Sequence, residues 1–246
     1  MSIGEELRRM NLLGMLAAHE EQLQNPRFQQ LSFEERFSLI VDREWTKREN
    51  ARQQRLLKRA RFRLQAAPED VDLGVPRGLD RALFLTLCEG EWVRRHQNVL
   101  LSGPTGVGKT FIACALGHAA CRLGFTTRYH RVGRFLAELT VAMGDGSYPR
   151  LVETLTRVNL LILDDWGLDP LSDAHGRALL DILDDRAGRT ATLIASQLPL
   201  DAWHGVVENP TVADAILDRI IHSSHRIALS GPSMRKQAAL EGGDAP

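Results

Sequence analysis

Short apolar runs alternate with amphipathic stretches through most of this chain, and the alternation predicts a fold class. Aliphatic runs at 99–101 and 160–163, and a third at 191–195 that contains one threonine, are typical of strands that are buried on both faces of a parallel sheet. Two further segments have β-like patterns, at 125–130 and 226–229, and helical patterns lie between the strands, at 132–143, 148–158, 172–186 and 210–221. Strands that alternate with helices predict an α/β fold with a central parallel sheet flanked by helices.

The first third of the chain has only helical periodicity. Apolar residues recur at three- and four-residue spacing over 3–24, which predicts one amphipathic helix, and Asn25-Pro26 breaks the pattern. Ser32 precedes Glu35 by three positions, a capping-box pattern that predicts the start of a second helix. That helix is expected to continue through Arg63.

A change of composition divides the chain. Ala66-Ala67-Pro68 ends the helical pattern, and the turn-rich segment 68–78 is expected to be a linker. We therefore expect a small all-helical domain at 1–67, an α/β domain at 79–236 that opens with a helix over 79–95, and a frayed tail at 237–246.

A glycine-rich segment follows the first predicted strand. Gly103-Pro-Thr-Gly-Val-Gly-Lys-Thr110 fits the phosphate-binding loop pattern G-x4-G-K-[ST] at every required position. Lys109 would place its charge on the β- and γ-phosphates of a nucleoside triphosphate, and the Thr110 hydroxyl would bind Mg²⁺. A ligand-free turn between strand and helix is the alternative, and the complete pattern in this context argues against it. The predicted nucleotide-binding residues are Gly103, Pro104, Thr105, Gly106, Val107, Gly108, Lys109, Thr110 and Phe111.

Two carboxylates follow the aliphatic run at 160–163. Asp164 and Asp165 would emerge at the carboxyl end of a buried strand, as in the Walker B arrangement. Asp164 is then expected in the Mg²⁺ shell, and Asp165 is expected to orient or deprotonate the attacking water. By itself the segment would be read as a buried strand that ends in a solvated acidic turn, but the preceding phosphate loop favours the catalytic interpretation.

Composition excludes several classes of protein. The chain of 246 residues is 43% hydrophobic and 25% charged, which allows a packed core, and its formal net charge is zero, which predicts no general attraction to nucleic acid or membranes. The cysteines Cys88, Cys114 and Cys121 lack C-x-x-C spacing, so free thiols are expected. No segment has the pattern of a signal peptide or a membrane span, so we expect a cytoplasmic protein without a membrane partner.

Positive charge is nevertheless concentrated in one segment. Residues 43–63 contain nine basic and two acidic residues, a local net charge of +7. On a helix, Arg48, Arg52, Arg55, Arg59 and Arg63 would form one stripe whose mutual repulsion a polyanion could relieve. A solvated helix face is the alternative. The local excess favours contact with a nucleic-acid backbone, and the predicted contacts are Lys47, Arg48, Arg52, Arg55, Lys58, Arg59 and Arg63.

Taken together, these segments resemble the IstB/DnaC-like branch of the AAA+ ATPases, and within it the IstB-type transposition helpers. The resemblance extends over nearly the whole chain. It rests on the phosphate loop and on Leu31-Ser-Phe-Glu-Glu-Arg36, Asp42-Arg-Glu-Trp45, Arg77-Gly-Leu-Asp-Arg81, Leu163-Asp-Asp-Trp-Gly167, Ser196-Gln-Leu-Pro199, Ala213-Asp-Ala-Ile-Leu-Asp-Arg219 and Ser233-Met-Arg-Lys236.

The resemblance implies a catalytic site that is completed between subunits. Besides Lys109 and Asp165, it places Ser196 and Gln197 at sensor 1, Arg219 at the arginine finger and Arg235 at sensor 2. From the sequence alone, Arg219 could equally be a surface arginine of a helix. The resemblance also makes Arg131, Arg134 and Arg150 further candidates for DNA contact.

The resemblance implies a function as well: ATP and Mg²⁺ as cofactors, and a homo-oligomer, as a ring or helical assembly, that remodels duplex DNA and recruits a cognate transposase. Two positions depart from the usual pattern, because many AAA+ proteins have Asp-Glu where this chain has Asp164-Asp165, and asparagine in place of Gln197. Three alternatives stay open: a DnaC-like replicative helicase loader, a small-molecule P-loop kinase, and a DNA-binding protein with a locked, inactive nucleotide site.

Overall fold

The computed structural model describes residues 2–234, and within them five strands and ten α-helices follow one another along the chain. The strands are β1 (Asn98–Ser102), β2 (Thr127–Arg131), β3 (Leu160–Trp166), β4 (Ala191–Ser196) and β5 (Ser224–Ala228). The helices are α1 (Ile3–Arg9), α2 (Leu13–Gln24), α3 (Phe33–Ala60), α4 (Arg81–Cys88), α5 (Glu91–Arg94), α6 (Lys109–Arg122), α7 (Val132–Asp145), α8 (Tyr148–Thr156), α9 (Asp173–Arg186) and α10 (Pro210–Ile221).

The five strands form one parallel sheet in the order β2-β3-β4-β1-β5. Alternate side chains of each inner strand face opposite helical layers. Val99 and Leu101 pack in a core with α6, whereas Leu100 lies in a second core with α7, α9 and α10. The predicted α/β class, with a central parallel sheet flanked by helices, is therefore confirmed.

Burial on both faces explains the aliphatic runs. Residues 160–163 of β3 are fully buried, and so are residues 193–195 of β4. Because β3 and β4 occupy the interior of the sheet, helices cover both faces of each strand. The first ionisable groups after the β3 run are Asp164 and Asp165 at its carboxyl end.

The N-terminal region is helical, as predicted, but it begins with two helices where the sequence predicted one. Asn11 has a φ of 56° and separates α1 from α2. Asparagine tolerates this left-handed conformation better than most residues, and periodicity alone does not reveal such a turn because the apolar spacing continues across it. The predicted capping box at α3 is present: the Ser32 amide donates to Glu35 Oε2, and the Glu35 amide donates to Ser32 Oγ.

The basic helix α3 ends earlier than predicted. Its last residue is Ala60, and Arg61 has a φ of 57°, so Arg63 lies beyond the helix and not on the stripe with Arg48 to Arg59. The helix predicted over 79–95 is also interrupted, because Gly90, with a φ of 74°, separates α4 from α5.

Two compact units divide the chain, the first ending at Arg55 and the second beginning at Leu56. The predicted functional boundary at residues 68–78 stays a proposal. All three cysteines are free, as expected, and burial raises the pKa of both Cys88 and Cys114 to about 11. Each helix within residues 2–234 is too short or too polar to cross a lipid bilayer.

Candidate active site

The phosphate loop connects β1 to α6 through a strained, glycine-dependent path. Gly103 has a φ of 142°, and a Cβ there would lie 2.3 Å from the Leu229 carbonyl oxygen. Gly108 has a φ of 98°, and a Cβ there would lie 2.6 Å from a guanidinium nitrogen of Arg77. Only glycine combines a positive φ with the lack of a Cβ that these close contacts require. The conformation of the turn therefore explains why glycines stand at these positions.

The loop leads directly into the first turn of α6, so its amide groups and the positive end of the helix face one cavity. Backbone amides at a helix N-terminus favour the binding of an anion such as phosphate. The Lys109 side chain is 8% exposed, and its Nζ donates to the carbonyl oxygens of Gly103 (2.6 Å) and Pro104 (2.8 Å). The lysine charge is thus held within the loop that would surround the phosphates.

Thr110 and Asp164 come together as the sequence predicted. The Thr110 hydroxyl donates to Asp164 Oδ2 at 2.7 Å, and the Asp165 amide donates to Asp164 Oδ1 at 2.9 Å. Asp164 is 1% exposed. A second hydroxyl, that of Tyr129, also donates to Oδ2 at 2.7 Å.

This set of donors fits Mg²⁺. The ion prefers hard oxygen ligands, and it commonly takes only one or two from the protein while phosphates and water supply the rest. Within residues 2–234, no group of three or more His, Cys, Asp or Glu side chains could hold a metal ion. Burial, and next the Asp164 charge, raise the pKa of Tyr129 above its ordinary value, so its hydroxyl keeps its proton.

Asp165 has an unusual backbone and two cationic neighbours. Its φ is 64°, a left-handed conformation that costs of order 1 kcal/mol in a non-glycine residue. Arg131 Nε donates to Asp165 Oδ2 at 2.8 Å, and Arg63 Nη1 lies 3.6 Å from the same oxygen. The hydrogen bond to Asp165 raises the pKa of Arg131. The predicted catalytic carboxylate is therefore held by two arginines that the sequence suggested as DNA contacts.

The end of β4 supplies two polar residues with different environments. Thr105 of the phosphate loop donates its hydroxyl hydrogen to Gln197 Oε1 at 2.6 Å. Ser196 is fully buried, and its hydroxyl donates to the Trp166 carbonyl oxygen at 2.7 Å. Of the two residues predicted at sensor 1, Gln197 faces the loop, while the Ser196 hydroxyl fixes the backbone after the β3 carboxylates.

Arg77 is a residue of this site that the sequence reasoning missed. Its side chain is 4% exposed, and it donates to the carbonyl oxygens of Asp72 (3.0 Å) and Val107 (3.4 Å). Burial lowers its pKa, while the Asp72 charge acts in the opposite direction. Arg77 begins one of the segments that carry the family resemblance, but no pattern of spacing marked it, since its role depends on the approach of a distant loop.

Most of these groups line one cavity of about 530 Å³ at the carboxyl edge of the sheet, a volume within the usual range for small-molecule sites. The buried Asp164 contacts two of the lining residues, Thr110 and Asp165. Its lining combines the phosphate loop with Arg63, Arg77, Phe111, Arg131, Asp165 and Gln197. The phosphate loop, the Thr110–Asp164 pair and the Asp165 carboxylate thus lie together, in the arrangement that a site for a nucleoside triphosphate and a divalent cation requires.

Comparison with known proteins agrees with this geometry. Residues 5–242 match the family described as IstB-like ATP binding protein. The insertion sequence ATP-binding protein y4pL of Sinorhizobium fredii is 51% identical over 232 residues, which cover 94% of this chain and 95% of that protein. The chain belongs to the IstB-like ATP-binding family.

Two solved structures have a similar fold. DnaI matches with a TM-score of 0.57 at 22% identity, covering 73% of this chain and 92% of that one. The DnaC helicase loader matches with a TM-score of 0.55 at 20% identity, covering 67% and 96%. At these identities the likeness concerns the fold. Family membership makes this IstB-like protein an ATP-binding ATPase.

Arg219 lies near the opposite end of β1 from the phosphate loop of its own chain. It is in the last turns of α10, where its backbone oxygen accepts from the Asn98 side chain at 3.3 Å. Asn98 is the first residue of β1, whereas the phosphate loop follows the last residue of that strand. The Arg219 guanidinium lies 2.9 Å from Asp184 and 3.1 Å from Asp218, and it lines a second cavity of about 370 Å³.

The residues predicted to contact DNA fall into three groups. Those on α3 are all exposed: Lys47, Arg48, Arg52, Arg55, Lys58 and Arg59. Arg134 on α7 and Arg150 on α8 are exposed as well, whereas Arg63 and Arg131 line the ATP cavity. Arg235, predicted at sensor 2, lies outside the described residues 2–234.

Proposed function

We propose that this IstB-like ATPase assembles in its ATP-bound state as a homo-oligomer on duplex DNA, remodels that DNA and recruits a cognate transposase. Its relative y4pL is named as an insertion sequence ATP-binding protein, which supports a role in transposition. The observation that carries the DNA part of the proposal is the exposed basic face of α3, which we define as Lys47, Arg48, Arg52, Arg55, Lys58 and Arg59.

The basic face of α3 suits contact with phosphates more than recognition of bases. Arg48 is paired with Glu44 at 2.6 Å and Arg52 with Glu49 at 3.8 Å, and among residues 2–234 no acidic partner is found for Lys58 or Arg59. Long, exposed cations in a row can follow a phosphate backbone, and phosphate contacts position a protein without specifying sequence. Such contacts would serve a helper that must accept many target sites.

We place the second half of the catalytic site on a neighbouring subunit. Within one chain, Arg219 and the phosphate loop belong to opposite ends of β1, so an arginine finger at Arg219 would have to serve another copy. A finger stabilises the charge that develops on the transferred phosphoryl group. Hydrolysis would then require Arg219 to exchange Asp184 and Asp218 for the phosphates of a neighbour, which makes activity depend on assembly.

Within the chain, we assign the phosphates to the loop and to Lys109, and Mg²⁺ to Thr110 and Asp164. The bound ion would neutralise charge on the β- and γ-phosphates. Gln197 and Asp165 border the same cavity, and we assign to Asp165 the positioning of the attacking water.

The two arginines on Asp165 suggest how DNA could stimulate hydrolysis. While Arg131 and Arg63 hold this carboxylate, it is less available to contact the attacking water. The end of α3 is joined to the ATPase unit, because Leu56 and Ala60 pack with Cys121 and Arg128 donates to the Arg59 carbonyl oxygen at 2.6 Å. We propose that DNA phosphates near Arg59 draw Arg63 away from Asp165 and free the carboxylate.

Electron microscopy of the protein with duplex DNA and a slowly hydrolysed ATP analogue tests assembly directly. We expect rings or helical arrays around DNA, with Arg219 of one subunit facing the phosphates of the next. Monomers on straight DNA, or an Arg219 that points away from every nucleotide, would contradict the proposal. ATP turnover that required a small metabolite and ignored DNA would instead favour a P-loop kinase.

A replicative helicase loader is the second candidate, because the solved DnaC structure has the same fold. The nucleotide site does not separate the two, so the protein partner must. We expect the purified protein, with ATP and DNA, to retain a transposase from the same insertion sequence and not a replicative helicase; the reverse result would favour the loader.

A further inference from the structure

Tyr129 is a buried tyrosine that the assignments above leave without a role. It lies in the middle of β2, an edge strand, and pairs in register with Ile162 of β3. Its side chain is 7% exposed, and its hydroxyl donates to Oδ2 of the even more deeply buried Asp164. A tyrosine hydroxyl thus donates a hydrogen bond to the carboxylate that we assign to Mg²⁺.

The hydrogen bonds of Asp164 show what this contact does. An ionised carboxylate offers about four acceptor positions. Thr110 and Tyr129 occupy two on Oδ2, and the Asp165 amide occupies one on Oδ1. About one position is left for a metal ion or a metal-bound water. Three donors from three different segments also restrict the carboxylate to one orientation.

We propose that Tyr129 is a positioning residue of the magnesium site, whose hydroxyl holds the Asp164 carboxylate in the orientation that binds the ion together with Thr110. The inference rests on the proposed Mg²⁺–ATP site. Hydrogen bonds behind a metal ligand fix its direction, and their removal commonly weakens metal binding 10- to 100-fold. Without Tyr129, Asp164 would keep its Thr110 and Asp165 contacts but lose the bond that fixes Oδ2 from the β2 side.

The chain provides a matched control. It has two tyrosines, and the other one, Tyr148 on α8, also places its hydroxyl near a carboxylate, 3.3 Å from Asp181 Oδ2. Asp181 lies on α9, which contributes no residue to the lining of the ATP cavity. Tyr129→Phe and Tyr148→Phe therefore each remove a hydroxyl that lies beside a carboxylate, once behind the proposed metal ligand and once away from it.

The test is binding of a fluorescent, non-hydrolysable ATP analogue, measured with EDTA and across a Mg²⁺ titration. For Tyr129→Phe we expect the Mg²⁺ concentration at half-saturation to rise about tenfold, while affinity in EDTA stays within about twofold of wild type. Tyr148→Phe should change neither quantity. Thermal unfolding of both variants shows whether they are folded.

Three results would overturn the inference: an unchanged Mg²⁺ requirement in folded Tyr129→Phe, an equal change in Tyr148→Phe, or an equal loss of affinity in EDTA. If Tyr129→Phe does not fold, Tyr129→4-aminophenylalanine restores a donor at the same place. It should keep the Mg²⁺ requirement within about threefold of wild type, and a larger rise would count against the inference. Wild-type protein that binds nucleotide without any dependence on Mg²⁺ would remove the magnesium site itself, whereas failure to assemble on DNA would affect only the proposed function.

Discussion

The proposed ATP cavity and the basic face of α3 both concentrate charged side chains, but these are buried and hydrogen-bonded at the cavity and exposed to solvent on α3. In the cavity, Lys109 and Asp164 are buried, and each has at least two hydrogen bonds to named partners. On α3, the cations extend into solvent, and Lys58 and Arg59 have no acidic partner among residues 2–234. The first arrangement holds charged groups at fixed distances that suit one small ligand. The second creates a positive electrostatic potential that attracts a long polyanion.

The difference also decides what a mutation should do. A buried, fully bonded group has one geometry, so its loss should abolish a defined step. Exposed cations act together through phosphate contacts, so their loss should reduce affinity in increments that depend on salt. The following variants test whether the two regions separate in this way.

The largest effect is expected for Arg219→Ala. Arg219 lies on α10, so it belongs neither to the ATP cavity of its own chain nor to the basic face of α3. If Arg219 completes a neighbour's site, DNA-stimulated hydrolysis should fall about 10³-fold, the usual contribution of an arginine finger. ATP binding should survive, because Arg219 is absent from the lining of its own cavity. The measurements are steady-state turnover and binding of an ATP analogue. Normal turnover would remove the finger assignment.

Lys109→Ala should disable the cavity while leaving the basic face of α3 intact. Loss of a charged donor to phosphate should weaken ATP binding about 100-fold, from roughly 3 kcal/mol of charge-assisted hydrogen bonding. Assembly on DNA should disappear with it, although weak, salt-sensitive DNA binding should persist. Calorimetry and electron microscopy measure the two effects, and ATP-independent assembly would contradict the proposed control by nucleotide.

The converse variant replaces Arg52, Arg55 and Arg59 by alanine. DNA affinity should fall and the slope of its salt dependence should decrease by up to about three phosphate contacts, while ATP binding without DNA stays unchanged. A suitable control replaces Arg8, Arg157 and Arg177, which are also exposed but lie on other helices or loops than α3. If both triple variants behave alike, or if the slope does not change, α3 is a solvated face.

The smallest effect should come from the arginines that line the cavity although the sequence assigned them to DNA. Arg63→Ala and Arg131→Ala would each leave Asp165 with one cationic neighbour. We expect DNA-independent turnover to rise a few-fold, about the effect of one partly exposed ion pair, and the stimulation by DNA to shrink accordingly. Turnover that falls in both variants would show that the arginines support catalysis and do not restrain Asp165.

The residues proposed for the nucleotide site are recognisable in the sequence because their patterns are local. Gly103 to Thr110 form one continuous turn, and Asp164 follows a run of four buried aliphatics that can only be an interior strand. Each pattern is set within about eight residues, by backbone conformation or by burial, so each is readable without knowledge of the fold. The alternation of such segments was likewise enough to predict the parallel sheet.

The tertiary structure alone decided what depends on the approach of distant segments. The turn at Arg61 removes Arg63 from the helical stripe and brings it to Asp165, and the pairing of β2 with β3 brings Tyr129 and Arg131 to the two carboxylates. Arg77 reaches the phosphate loop from 30 positions away. The spacing of residues along the chain does not predict these contacts. A single left-handed residue changes the direction of the chain, and strand pairing decides which distant residues become neighbours.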